Sequence, residues 1–420
     1  METAKKGGYK MTEVGLIPSD WEVKEIGEVF NFFRTASFSR EMLSIGQEFL
    51  YVHYGDIHTR FNHFLNIKNS DLPSINSKLA KNFTLIQNGD LIMADASEDY
   101  SGIGKSVEVE GITNQKVISG LHTMLMRANP DFLSNGFKAY LHSNILVKKQ
   151  YDAKATGLKV YGVSKSNLKE IKIPLPPLPE QTAIATALKD TDDLINSVEK
   201  LIAKKKHIKQ GAMQELLKPK EGWVKKKLGE VCWYQEGPGL RNWQFTKSGI
   251  KVINVTNLEN GILNLERTDR HISLHEFHKM YEHFEIDEND IVVASSGNSY
   301  GKVAVVRKKD LPLVMNTSVI RFKPLENIDY NFLLIFLKSS DFKMQIDLLI
   351  TGGAQPNFGP AHLNKISINL PKTKEDQNKI SSILNDIEIE ISNLETNKTK
   401  LQTIKQGMMQ QLLTGKIRLI

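Results

Sequence analysis

Apolar residues recur at helical spacing along an unbroken run from Glu180 to Leu217, EQTAIATALKDTDDLINSVEKLIAKKKHIKQGAMQELL, which holds no interior proline and a single glycine. The pattern predicts one long helix. The run from Asp376 to Leu413 repeats it without a gap at a constant offset of 196 residues. Ile184 answers Ile380, Leu188 answers Leu384 and Ile195 answers Ile391, and Lys209-Gln210-Gly211 answers Lys405-Gln406-Gly407. In the second run Leu384, Ile387, Ile391, Leu394 and Leu401 alternate spacings of three and four, Met408 and Leu412 continue the row, and Lys398 and Lys405 fall on it. In the first, Ile184, Leu188, Ile195, Val198, Ile202, Met213 and Leu216 form the corresponding row. Two such rows predict an antiparallel coiled coil with imperfect heptads, each helix about 55 Å long.

Outside these runs the period changes from helical to extended. Short apolar stretches rich in β-branched and aromatic residues occupy 49–54, 83–86, 90–94, 106–109 and 121–127, and a helix is expected to begin over 132–140. A second set occupies 252–255, 290–294, 303–307 and 318–322, followed by a helix from Tyr330 to about Ile350. NGDLIMADAS matches ENDIVVASSG, and the opening LIPSDWEVKEIGEV (16–29) returns as KPKEGWVKKKLGEV (218–231). Internal repetition therefore organises the whole chain. Each set leads to a strand expected to stop at proline, in IKIPLPPLPEQ and ISINLPKTKEDQ, because proline cannot extend a strand ladder. The expected organisation is a mixed α/β globular unit over 1–172, a joint and long helix over 173–217, a second unit over 218–369, and a joint, helix and tail over 370–420. A pseudo-two-fold relation between the halves would lay the two helices side by side.

The 420 residues are 40% hydrophobic and 25% charged, as in a soluble globular protein, and the net charge of +7 makes a polyanionic partner plausible. One cysteine, Cys232, excludes an intrachain disulfide and any cysteine-cluster zinc site. No apolar run follows the basic N-terminus or is long enough to span a bilayer, which points to a cytoplasmic protein. Gly104-Lys105-Ser106 lacks the preceding glycine of a phosphate-binding loop, and its counterpart Gly301-Lys302-Val303 lacks the hydroxyl. Asn129-Pro130-Asp131-Phe132 has no glycine-rich cofactor loop before it and no partner in the other half, and reads as a turn. His271, His275 and His278 would line a helix face, without a counterpart in the first unit. The matched polar loops remain. In the first unit they hold Asp95, Ser97, Tyr100, Ser101 and Lys105, then Asn114, Gln115 and His122; in the second, Ser295, Ser296, Asn298, Tyr300 and Lys302, then Asn316 and Thr317. Asn and Gln can pair with adenine and Lys with guanine or phosphate, which makes these loops DNA-binding candidates.

The paired openings, the strand-proline joints and the duplicated helices ending in IKQGAMQELL and IKQGMMQQLLTGK resemble the specificity subunit of a type I restriction-modification enzyme. The resemblance spans nearly the whole length, though the second joint has one proline where the first has four. It implies two target-recognition domains, Trp21 to about Lys172 and Trp223 to about Asn369, each reading half of a bipartite DNA sequence. It implies that the long helices are the spacer and a docking surface for two modification subunits, with Ile184, Leu188, Ile195, Val198, Ile202, Leu216, Ile380, Leu384, Ile387, Ile391, Leu394, Leu401, Met408 and Leu412 as the spacer and docking candidates. It further implies that S-adenosylmethionine, ATP and Mg are carried by modification and restriction subunits, and that this chain holds no cofactor and no catalytic group. The residues alone leave two other readings open: a coiled-coil adaptor with no nucleic-acid role, and a fused methyltransferase or nuclease.

Overall fold

The structure, a computed structural model, describes residues 8–100, 102–157, 160–350 and 356–419. The chain divides into two compact units, one comprising residues 1–200 and 396–420 and the other 201–395, so that each unit takes a part of both long helices.

In the first unit Trp21 is fully buried and the strand Glu22–Glu25 pairs antiparallel with Lys172–Leu175. The chain then builds a five-stranded sheet in the order Phe30–Phe33, Thr123–Ala128, Leu91–Ala94, Ser106–Glu110, Phe64–Asn66; its last pair is parallel and the others antiparallel. Leu91–Ala94 sits at the centre with all four residues buried, which is why it reads as a continuous apolar run rather than an alternation. A three-stranded sheet lies beside it, with Phe49–Val52 between Lys116–Ser119, to which it is parallel, and Ser74–Ile75. The second unit follows the same plan. Val224–Lys227 pairs with Ser367–Leu370; a four-stranded sheet runs Cys232–Glu236, Val319–Pro324, Ile291–Ala294, Val303–Val305; and Ile250–Ile253 lies between His271–Ile272 and a parallel Leu313–Met315. The turn before each central strand needs a left-handed residue, supplied by Gly89 (φ 87°) and Asn289 (φ 67°).

Matched glutamine side chains fasten each unit together. Gln150 on the helix Ile145–Lys154 exchanges two hydrogen bonds with the backbone of Lys172, and Gln345 on the helix Ser340–Leu349 does the same with Ser367. At the start of the long helices, Gln181 accepts from the Ser134 amide (2.9 Å) and donates to the Pro176 carbonyl (2.9 Å), while Gln377 accepts from the Asp329 amide (2.7 Å) and donates to the Pro371 carbonyl (2.9 Å). Both glutamines are buried. Each therefore ties one globular part, its proline joint and its helix together at one point.

The long helices span Leu178–Leu216 and Lys374–Leu412, 39 residues each. In the first unit Asp192 pairs with Lys405 and Glu199 with Lys398 (2.8 Å); in the second Lys206 pairs with Glu395 (2.7 Å) and Lys209 with Glu388. Partner numbers fall as residue numbers rise, so the pairing is antiparallel within each unit. Ile184, Leu188, Ile195, Val198, Ile202, Leu384, Ile391 and Leu412 are buried, and Leu216, Ile380, Ile387, Leu394, Leu401 and Met408 are half-buried. Burying an Ile or Leu is worth roughly 1.5–3 kcal/mol against about 0.2–1 for an exposed ion pair, so the apolar rows hold the helices and the charges set their register.

Several expectations are corrected. Residues 83–86 are irregular with one isolated bridge at Leu85, not a strand. The 132–140 segment is mostly turn; a 3-10 helix begins at Lys138 and the α-helix at Ile145. The helix expected from Tyr330 breaks at Ser339, which ends Tyr330–Lys338 and caps Ser340–Leu349. Pro174 lies inside its strand, tolerated because a two-stranded ladder leaves one side unpaired. His271 belongs to a strand and His275 to a short helix, so the three histidines do not share a helix face. The strands Lys116–Ser119 and Leu313–Met315 were not among the expected elements.

Candidate nucleic-acid interface

In each unit the central strand ends in a polar loop that meets the loop preceding the next strand of the same sheet. In the first unit the Asp95 amide donates to the His122 carbonyl (3.1 Å), and the two side chains meet at 3.2 Å between Oδ1 and Nδ1. His122 takes a left-handed backbone (φ 53°), which turns its ring outward, edge-on to Tyr54 at 5.3 Å. Ser97 is buried on a short strand paired with Tyr161–Gly162. Lys105 donates to the His58 carbonyl (2.8 Å), while a ring nitrogen of His58 contacts the Ala96 carbonyl (2.8 Å). Burial holds the Lys105 ammonium below the usual lysine range. The fold thus gathers Asp95, Ser97, Lys105 and His122 around Tyr54 and His58, two residues that carried no sequence signal because their segment has no matching motif in the other half.

Asn114 and Gln115 lie elsewhere. They occupy a turn in which the Gln115 side-chain Oε1 accepts from the amides of Thr113 (2.8 Å) and Asn114 (3.2 Å). That turn adjoins Ile112, which exchanges two hydrogen bonds with Asn88 at the start of the central strand, the end opposite Asp95 and His122. Ser101 lies outside the described residues.

In the second unit Ser295 is fully buried and donates to the Thr317 carbonyl (3.4 Å), while its amide donates to the Ser318 carbonyl (2.9 Å). Asn316 accepts from the Thr317 amide (2.8 Å), and the Thr317 hydroxyl donates to Glu236 (3.3 Å), whose carboxyl burial raises above its ordinary range. Glu236 is the residue missed here; its place at the end of an edge strand gave no signal. Ser296 bridges to Asn357, Asn298 is exposed on the 3-10 turn Gly297–Ser299, and Lys302 is exposed at the end of that loop.

The two tyrosines have a further role in holding the loops. Lys343 donates to the Tyr300 hydroxyl (2.8 Å), which in turn donates to Asp347 (2.6 Å), and the lysine also reaches Asp347 (3.3 Å). In the first unit Lys148 pairs with Asp152 and donates to the Tyr100 carbonyl (2.6 Å), while the Tyr100 ring packs on Tyr161 at 4.1 Å. Each polar loop is therefore fixed to the helix that follows the sheets by a lysine and aspartate one turn apart. Among the described residues no group of three or more His, Cys, Asp or Glu could hold a metal ion, and no helix is long and apolar enough to cross a membrane.

Comparison with known proteins agrees with the duplication. The family model for the type I restriction modification DNA specificity domain matches residues 18–210 and again 220–406. The chain is 26% identical to the type I restriction enzyme MjaVIII specificity subunit of Methanocaldococcus jannaschii over 444 aligned positions, covering 100% of this chain and 98% of that one. Among solved structures it is similar to the type I restriction-modification system S subunit from M. genitalium (TM-score 0.55, 17% identity, 93% of this chain and 96% of that one). It is also similar to a chain from work on complex assembly and conformational transition of the type I R-M system (TM-score 0.61, 18% identity, 96% and 99% covered). With two matches that together span most of its length, the chain belongs to the type I restriction modification DNA specificity family.

Proposed function

We propose that this chain is the DNA-reading subunit of a restriction-modification assembly, and that each globular part reads one half of a bipartite target. The observation that carries this reading is the presence of two DNA specificity domains in one chain, each ending its central strand in a pinned polar loop. The domains are Trp21 to about Lys172 and Trp223 to about Asn369. Their loops differ in chemistry, His122 with Asp95 against Asn316, Thr317 and Glu236, as readers of unlike half-sites would. The DNA-contacting set is Tyr100, Lys105 and His122 in the first domain and Ser296, Asn298, Tyr300, Lys302, Asn316 and Thr317 in the second; buried Ser97 and Ser295 hold the loops, and Asn114 and Gln115 lie at the other end of the central strand.

The subunit works in the cytoplasm on double-stranded DNA with two adenine-modifying subunits, which bind S-adenosylmethionine, and with restriction subunits that use ATP and Mg. It contributes sequence choice and supplies no catalytic group. The long helices are the spacer between the readers and the surface on which the modification subunits dock. Selecting bound sequences from a random DNA library with the complex of this chain and its modification subunits tests the reading. Enrichment of two short sequences at a fixed separation is expected; enrichment of a single uninterrupted sequence, or of none, would overturn it.

A further inference from the structure

In the second unit the loop over 237–247 leaves the edge strand Cys232–Glu236 beside the polar loop just described. The Thr317 amide donates to the Pro238 carbonyl (3.1 Å), and a Cβ on Gly237 would come within 2.3 Å of the Asn316 carbonyl oxygen. The loop then forms one 3-10 turn, Asn242–Gln244. Buried Gln244 fixes it: the side chain accepts from the Arg241 amide (2.8 Å) and donates to the Tyr281 hydroxyl (2.9 Å) and to Glu276. On this braced turn Trp243 is 81% exposed. Tryptophan is highly buried on average, so a nearly bare one on a rigid support calls for a ligand.

The surroundings identify its chemistry. Arg241, Asn242, Thr246 and Lys247 are exposed, and the loop contains no carboxylate. Arg270, stacked over Phe245 at 4.9 Å, adds another cation. An aromatic among cations suits a nucleic acid, with the ring against or between bases and the cations at phosphates. The first unit presents apolar side chains at the same place, between its edge strand Phe30–Phe33 and the strand Phe49–Val52. There Met42, on the turn Arg40–Met42, is 50% exposed and Ile45 is 85% exposed.

We infer that Trp243 is a DNA contact of the second recognition domain, packing against bases of the half-site that this domain reads. The inference rests on the proposed function. Its test uses the complex with the modification subunits, carrying either the native chain, Trp243→Ala or Trp243→Phe, and DNA bearing the selected target. Trp243→Ala should weaken target binding by roughly 5- to 150-fold, the range of a lost base–aromatic stack, and Trp243→Phe should recover most of it. The slope of affinity against salt should stay unchanged because no phosphate contact is removed. Base changes beside the Trp243 contact should lose part of their penalty in the alanine variant while those in the other half-site keep theirs. Native affinity and native base preference in Trp243→Ala would overturn the inference, as would loss of the modification subunits from that variant, which would make Trp243 a protein contact. A native complex that does not distinguish target from random DNA would instead refute the underlying reading.

Discussion

Gln181 and Gln377 show how single residues govern the joints. Both are buried at matched places, and each satisfies a half-buried backbone amide and a buried carbonyl. Replacing either with leucine leaves those groups unpaired and should cost at least about 2 kcal/mol, read as a lowered melting temperature in each variant. Native stability in both variants would contradict this role. His63 gives a second test. Burial, reinforced by the nearby Lys405 ammonium, holds its imidazole at about 3. It accepts from Lys405 (3.2 Å), which also pairs with Asp192, so the folded chain keeps the ring neutral. An unfolded histidine titrates near 6.5, so below that pH the unfolded chain takes up a proton that the folded chain does not. Stability should therefore fall as pH drops from about 6.5 towards 3, by up to about 1.4 kcal/mol per pH unit, and His142, also pushed down by burial, acts in the same direction. Melting temperature measured across this window should depend less steeply on pH in His63→Gln; an unchanged slope would contradict the assignment. Residue types and repeated motifs pointed to the polar loops, but the neighbours that complete them did not show. Tyr54, His58 and Glu236 arrive from segments without matching motifs, whereas Asn114 and Gln115, adjacent in sequence to the His122 loop, lie at the opposite end of the central strand. Proximity across a sheet depends on strand pairing, which composition does not encode.

At the level of elements, the two long helices were legible because 3.6-residue periodicity over more than thirty residues has no competing explanation, and the internal copy fixed their bounds to within a few residues. The central strands Leu91–Ala94 and Ile291–Ala294 were equally clear, since each is wholly buried and bounded by a turn. Lys116–Ser119 and Leu313–Met315 give no such signal, because four or three residues beside a loop show no period of their own; parallel pairing with a distant strand stabilises them. Pro174 misled for a related reason, since its tolerance depends on having one unpaired side. The element-scale prediction concerns the spacer. Inserting four residues at matched points of both long helices adds about one turn, or about 6 Å, to each. The selected target should then have a longer gap between unchanged half-sites. A changed half-site with the original gap would contradict the spacer role.

Across the whole molecule, one plan is used twice. Each unit has a larger sheet beside a three-stranded one, a helix fastened to the last strand by a glutamine, a proline joint clamped by a second glutamine, and a length of paired long helix. This repetition was visible in the sequence because the joints and helices kept their residues while the loops diverged, the distribution expected where common parts hold and variable parts read. The most direct measurement is a map of methylated adenines in DNA treated with S-adenosylmethionine and the modification subunits, with and without this chain. Methylation confined to a two-part sequence of fixed spacing, and dependent on the chain, is predicted. A one-part pattern, or the same pattern without the chain, would contradict the central claim.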